Sequence, residues 1–565
     1  MQKKDYLRTG ALASTLLCLL LVGCGPSADE QAAPSIVPSA ISATPPSTPT
    51  VMQPNVIKIE PSYSEEGIKV DSVITISFSE QMDESTIDSS SFHVIDAEQD
   101  VVIAGSISFD GLSAIFTPTE TLEFSKKYSI VIADSIKDVS GNNLPESSTS
   151  WFLTTDRLSK SNTAPLELEG FSGGSFIYGY AVLDMNGDGL DDLIYGGPKW
   201  VNQKNGWVNE PAEFNVLLNT GGDGFIKGNE TIFPLGSPAL VHARDAKVDD
   251  LNGDGIKDIL FIGHGYDSPP FPGEENVLLL SQPNGSFIDA SNQLDNPVSG
   301  FSHSSAIGDI DNDGDVDLIV VDIYGGNANP SVYVLENDGL GQFTTRKIRF
   351  SGSSSFKWTA SELVDLDNDG LLDLVLGEDG SRSISIVLWN QGDGVFRSAP
   401  TELPSADPYF IVADIIPIDL NNDGYQDLLL STTKESPVYE GSYLQVLINN
   451  KNKEFSDGTP THFPSQNLGH KWAYRIEKVD LDLDGDFDLV TLYDLAEAGY
   501  TQLIWINDGD GVFSILPLSD LNTRGTMIPI DVDADGDMDF MVLTVPFFGN
   551  NEQVQRWTTV LNNTK

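Results

Sequence analysis

Cysteine is almost missing. The 565 residues hold two, Cys18 and Cys24, both close to the start. Everything after residue 24 must fold without disulfides, and an exported protein of that kind needs another staple, for which metal ions are the physical alternative. Basic residues are also scarce: Lys plus Arg is 31 against 84 Asp plus Glu, a formal net charge of −53. That field repels nucleic acid and anionic membrane surfaces, which excludes both as partners of the folded body. With 40% hydrophobic residues the imbalance is not a sign of disorder. Long apolar runs are lacking too. The one at Ala11 to Val22 is too short to span a bilayer. Histidines are few, and His242, His303 and His470 are too scattered along the chain to make a zinc site by spacing.

What is abundant is one acidic loop. Asp309-Ile310-Asp311-Asn312-Asp313-Gly314-Asp315-Val316-Asp317 has acids at positions 1, 3, 5 and 9 and glycine at 6. Seven copies occur, 51 to 66 residues apart. Positions 1, 3, 5 and 9 are Asp184, Asn186, Asp188 and Asp192 in the first copy and Asp250, Asn252, Asp254 and Asp258 in the second. They are Asp309, Asp311, Asp313 and Asp317, then Asp365, Asp367, Asp369 and Asp373, in the third and fourth. The last three copies supply Asp419, Asn421, Asp423 and Asp427; Asp480, Asp482, Asp484 and Asp488; and Asp531, Asp533, Asp535 and Asp539. Oxygens on alternate residues of a tight loop suit a hard cation, and Ca²⁺ takes six to eight oxygen ligands. Up to seven Ca²⁺ are therefore expected, and they would bring the net charge from −53 to −39. An EF-hand is excluded, because its bidentate glutamate at position 12 is here Tyr195, Phe261, Val320, Leu376, Leu430, Thr491 or Val542. Position 9 is left to close the site.

Short apolar runs flank each loop, as in Ile416-Pro417-Ile418 before and Leu428-Leu429-Leu430 after, which reads as strand, loop, strand. A second signature follows, an alternating strand, a Gly/Asn/Asp turn and a phenylalanine, as in Trp389-Asn390-Gln391-Gly392-Asp393-Gly394-Val395-Phe396. That is a hairpin. Four strands per unit and seven units at this period predict an all-β fold with a seven-bladed calcium-binding β-propeller over 160–565. The repeats resemble the FG-GAP/VCBS repeats of integrin α-chain heads and bacterial surface proteins, the first copy, Tyr178 to Pro198, most closely. The last unit has three strands before Lys565, and Pro165 to Gly174 resembles a fourth, so this stretch is expected to complete the last blade and close the ring.

Residues 1–24 read as a targeting segment: Lys3, Lys4 and Arg8, an apolar stretch, then Leu21-Val22-Gly23-Cys24. This resembles a bacterial lipobox, which implies cleavage before Cys24 and lipid attachment to it. Gly25 after the cysteine points to the outer membrane if the cell is Gram-negative. Residues 25–54 hold seven prolines among Ser, Ala and Thr and no aromatics, a tether of up to ~90 Å if extended at ~3.1 Å per residue. Residues 55–157 alternate as a β-sandwich does. Phe78-Ser79-Glu80-Gln81-Met82-Asp83, Phe116-Thr117-Pro118 and Asp138-Val139-Ser140-Gly141-Asn142 resemble the bacterial Ig-like domain of the S-layer type, a spacer.

In the resembled family the calcium loops join first and second strands on one face, so recognition is expected on the opposite face. His242, Arg244, His303, Trp358, Tyr409, Trp472 and Arg524 are the candidates there, since aromatic, His and Arg groups around a funnel suit a glycan or protein ligand. The reading is a lipid-anchored cell-envelope binding or adhesion protein with structural calcium and no enzyme activity. The alternatives are a lyase-like polysaccharide enzyme, with His242, Arg244 or Tyr409 available, or a purely structural envelope protein.

Overall fold

In the computed structural model the described residues are 53–564, apart from 162, 170–176, 197–198, 204–205, 223, 267–270, 296–299, 324–330, 349–356, 381–382, 397–398, 407, 465, 467–471, 494–502, 517–525 and 545–553. Cys24, the tether, His470 and Arg524 lie outside them. No described helix is long and apolar enough to cross a membrane. The chain is all-β. The described α-helices are single turns at Asn229–Ile232 and Thr459–His462.

The N-terminal module is two sheets face to face. One runs Val56–Glu60, Ile74–Phe78, Ser113–Pro118, Gly105–Phe109; the other runs Glu65–Ile68, Ser148–Thr154, Lys127–Ile132, Phe92–Asp96, Val101–Val102. Strict alternation sets which side chains meet between them: Ile74, Ile76 and Phe78 are buried from one sheet, Tyr128, Ile130 and Ile132 from the other. Asp138 is buried in a turn, where its carboxylate accepts from the Ser140 and Asn142 amides and from Asn142 Nδ2.

Among the described residues seven larger antiparallel sheets follow, one per acidic loop, with two two-stranded ones, Lys199–Gln203 with Gly206–Glu210 and Ala212–Glu213 with Ala239–Leu240. The first six have four strands in chain order, as in Ser302–Gly308, Asp317–Asp322, Val332–Asn337, Phe343–Lys347. In every repeat the acidic loop joins the first strand to the second, and the position-9 aspartate is the first residue of the second strand. Second strands such as Asp427–Thr433 are buried along their whole length, which is why they read as continuous apolar runs. The first strands of repeats 1 to 6 lie side by side in sequence order, from Tyr180–Leu183 to Ala473–Val479.

The seventh sheet draws on both ends of this region. Thr526–Ile530, Asp539–Thr544 and Val554–Asn562 are joined by Leu166–Glu169, which pairs antiparallel with Val554 to Trp557. This is the strand expected to complete the last unit. Leu158–Lys160 adds a pairing with Val560 to Asn562 that the sequence did not suggest. The first and last repeats touch directly: Asn219 Nδ2 donates to the Val532 carbonyl at 2.9 Å, and Trp557 Nε1 to the Tyr195 hydroxyl at 3.3 Å.

Candidate metal loops and the cavity at the first strands

Each loop is wound by its own position-1 aspartate. One oxygen accepts the amide of glycine 6, at 2.8 Å from Gly189 and 3.0 Å from Gly314, and the same bond recurs in all seven loops. That turn requires left-handed backbone at position 6, where φ is +84° to +98° throughout. Position 4 is left-handed too. Gly187, Gly253, Asn312, Asn368 and Asn422 suit it, whereas Leu483 (φ +58°) and Ala534 (φ +61°) carry strain there.

The carboxylates converge. Donor oxygens of Asp309, Asp311 and Asp317 lie within 4.8 Å of one another, as do those of Asp365, Asp367 and Asp373, of Asp480, Asp482 and Asp484, and of Asp531, Asp533 and Asp535. Among the described residues these are the carboxylate or imidazole groups that come to metal-binding distance. Oδ1 of Asp311, Asp367, Asp480, Asp482 and Asp531 is buried without a hydrogen-bond partner. A buried anionic oxygen in that state is costly unless a cation meets it, and an all-oxygen donor set is what Ca²⁺ prefers. The residues fit the ion.

Position 9 does more than close a site. Its Oδ2 accepts the amide of position 2, as Met185 to Asp192 at 3.0 Å, and its Oδ1 accepts an amide at the end of the third strand, as Asn219 to Asp192 at 2.8 Å. Both bonds recur in all seven repeats. Position 9 is thus also a strut between loop and third strand, and Asp317 and Asp373 reach the cation cluster as well. Burial raises these carboxylates, Asp192, Asp317, Asp373, Asp488 and Asp539 to about 7 and Asp258 and Asp427 to about 6.

The residue on the third strand is asparagine in six repeats, and its side chain makes a second link. Asn337 Nδ2 reaches the Leu251 carbonyl, Asn390 that of Ile310, Asn449 that of Leu366 and Asn562 that of Leu481, each the position-2 carbonyl of the preceding loop. Asn219 makes the equivalent bond from the first repeat to the seventh. Five of these asparagines open a hairpin turn in the sequence, and that recurrence was the available signal.

At the far end of the first strands, five pairings slip by one residue at the same place, leaving Arg244, His303, Thr359, Ala413 and Tyr474 as bulged residues. All stand six residues before position 1 of their loop, as does Tyr178 in the first repeat. A bulge re-aims a side chain, and Tyr178, Arg244, His303, Ala413 and Tyr474 line one cavity of about 220 Å³ with Asp245, Lys247, Glu362, Asp414 and Arg475 deeper in. Burial pushes Glu362 to about 7 and Asp414 to about 6, whereas Lys247 and Arg475 outweigh burial and hold Asp245 low. Burial, with Arg244 beside it, keeps His303 well below the usual imidazole value.

The candidates for the opposite face separate here. Arg244, His303, His242 and Trp472 come together: Tyr178 packs on His242 at 5.1 Å and on Trp472 at 6.1 Å. His264 completes a row between His242 and His303, at 4.9 and 5.3 Å. Histidines scattered in sequence are thus adjacent in space, a result of placing the same strand register side by side. Trp358 is corrected: it is fully buried, with its indole N–H donated to the Ile384 carbonyl, and is a packing residue. Tyr409 stacks on Tyr443 at 5.4 Å and does not line the cavity. Gly170-Phe171-Ser172-Gly173-Gly174 spells the Gly-x-Ser-x-Gly of a nucleophile elbow but lies outside the described residues, and the next described element is a strand rather than the helix that motif needs.

Strand–acidic loop–strand repeats behind a two-sheet sandwich define a class of modular all-β proteins. The modules have names: residues 50–155 match the bacterial Ig-like domain, and 250–320, 321–376, 365–430 and 419–491 match the FG-GAP-like repeat, so the chain carries a bacterial Ig-like domain and FG-GAP-like repeats. It is 26% identical over 155 residues to a T-cell immunomodulatory protein homolog of Plasmodium yoelii yoelii, a match covering 24% of this chain and 22% of that protein. Among solved structures it is similar to a protein of unknown function from Bacteroides thetaiotaomicron VPI-5482, at 10% identity over 91% of this chain and 99% of the other, TM-score 0.31. It is also similar to the N-terminal part of the bacterial S-layer protein SbsC, at 13% identity over 38% and 41%, TM-score 0.16.

Proposed function

We propose that the seven sheets are the blades of a closed β-propeller stapled by calcium. On this reading the chain is a lipid-anchored cell-envelope protein that binds a glycan or protein ligand at the end of the first strands away from the loops. The observation that carries it is the repeated loop geometry, in which buried carboxylate oxygens without partners converge in front of a strut to the third strand. The contacts from Asn219 to Val532 and from Leu166–Glu169 to Val554–Asn562 support closure. Ca²⁺ supplies positive charge to the loops; positions 1, 3, 5 and 9 would hold it, with a function that is structural. A site that is present in every blade is suited to stiffening a ring, while one that differs between blades is suited to recognition, and the residues six before each loop differ: Tyr, Arg, His, Thr, Ala and Tyr in the first six repeats.

Two measurements test this. Thermal unfolding with and without chelator should differ in midpoint, because each ion at a hundredfold excess over its dissociation constant contributes about 2.7 kcal/mol; an unchanged midpoint would remove calcium from the account. A glycan array probed with the calcium-loaded full chain should give hits that chelation abolishes, and an array empty of hits, with no protein captured from cell surfaces either, would favour a purely structural role. For the anchor, Cys24→Ala should release the protein from the membrane fraction; retention would refute lipidation.

A further inference from the structure

The cavity at the bulged positions contains a charge the fold does not use. Arg244 is only 9% exposed. Its guanidinium lies over the Tyr178 ring at 4.6 Å and the Trp472 ring at 5.1 Å. Among the described residues it has no hydrogen-bond or ion-pair partner, although a guanidinium carries five donors. Four acids line the cavity with it, and three of them are engaged elsewhere. Asp245 accepts from the Ser305 amide and hydroxyl and faces Lys247 at 3.7 Å. Asp414 accepts the Ile476 amide at 2.7 Å. Glu477 pairs with Arg475 at 2.5 Å. A largely buried cation resting against two aromatic rings, with its forked donors unspent, is poised for a planar oxyanion, and a carboxylate matches that fork in bidentate fashion.

We infer that Arg244 anchors the carboxylate of a sugar acid, with one hexuronate-sized residue occupying the cavity. This rests on the reading that recognition lies at this end of the first strands. The sugar is favoured over an acidic peptide side chain by what lies beneath the arginine. Ser304 and Ser361, whose hydroxyls lie 3.2 Å apart, and the Glu362 carboxylate offer donors and acceptors from two repeats. Ring hydroxyls both donate and accept and can serve such a wall, whereas the stem of a glutamate would leave it unsatisfied.

The test is titration calorimetry on the calcium-loaded full chain with D-galacturonate, D-glucuronate, D-galactose and N-acetylglutamate at millimolar concentrations. Tryptophan fluorescence follows Trp472 in parallel. Uronates should bind and galactose should not. Arg244→Met, which keeps an unbranched apolar stem against the rings, should weaken uronate binding at least tenfold, the loss of a charge-assisted bond. Lys434→Met, over Tyr409 and outside the cavity, should not change it. Equal binding of galactose and galacturonate, tighter binding of N-acetylglutamate, no uronate binding, or unaltered affinity in Arg244→Met would each overturn the assignment. If Arg244→Met does not fold, the ligand series on the unaltered chain still decides. Array hits on neutral glycans that do not respond to Arg244→Met would sink this site and leave the binding function standing, whereas an empty array would sink the binding function itself.

Discussion

A single asparagine, present in six of the seven repeats, does more for the fold than its type suggests. In the fifth repeat Asn449 gives its amide N–H to Asp427, its side-chain nitrogen to the Leu366 and Gln426 carbonyls, and its side-chain oxygen to the Lys451 amide. Asn449→Ala keeps the backbone bond and strands two buried carbonyls, so it should cost roughly 1–3 kcal/mol in urea unfolding. A loss below the error of the measurement would mean that water replaces the side chain. The opposite sign is expected at Leu483, which sits left-handed at loop position 4 and is 39% exposed. Leu483→Asn relieves strain and removes little packing, and should raise stability by roughly 1 kcal/mol. Acids at positions 1, 3, 5 and 9 were legible from their recurrence. The asparagine was equally recurrent but reads as ordinary turn chemistry, and its bond to the preceding repeat is a tertiary fact that no single unit displays.

At the scale of the element, the acidic loop and the strand it opens titrate as a unit. Burial raises Asp192, Asp317, Asp373, Asp488 and Asp539 to about 7, from about 3.9 in an unfolded chain. Between those values the folded state binds more protons than the unfolded one, so stability must fall as pH rises. Metal-free protein, prepared by chelation and desalting, should therefore melt higher at about pH 5 than at about pH 8. Excess Ca²⁺ at the higher pH should close the gap by meeting the ionised carboxylates. A metal-free midpoint that is flat with pH would show that the position-9 acids are not desolvated in solution. The first strands tell a different story about legibility. Their apolar pattern was readable, but the bulge was not, because a one-residue slip against the second strand leaves no mark in a polar and aromatic stretch such as Val241-His242-Ala243-Arg244. Counting back six residues from each loop lines up Tyr178, Arg244, His303, Thr359, Ala413 and Tyr474, and this register is the signal that composition alone concealed.

Over the whole molecule the decisive question is whether the ends of the repeat region meet, since an open row of sheets would expose two edges. Glu167 and Arg556 are register partners in the pairing of Leu166–Glu169 with Val554–Asn562, and Arg556 Nε reaches Glu167 Oε1 at 2.9 Å. The body contains no cysteine, so Glu167→Cys with Arg556→Cys would form its one disulfide, at a contact 389 residues apart in sequence. Facing residues of an antiparallel pair have the Cα separation a disulfide needs. In the chain-entropy account a loop of about 100 residues already yields about 4.7 kcal/mol, and a longer one slightly more. The oxidised double variant should accordingly unfold at higher temperature than its reduced form and run intact as a compact species on a non-reducing gel. Failure of the two thiols to pair under mild oxidation would mean that the seventh sheet is not completed from the N-terminal side, and the closed ring would fall with it, while the acidic loops, each wound by its own position-1 aspartate, would stand.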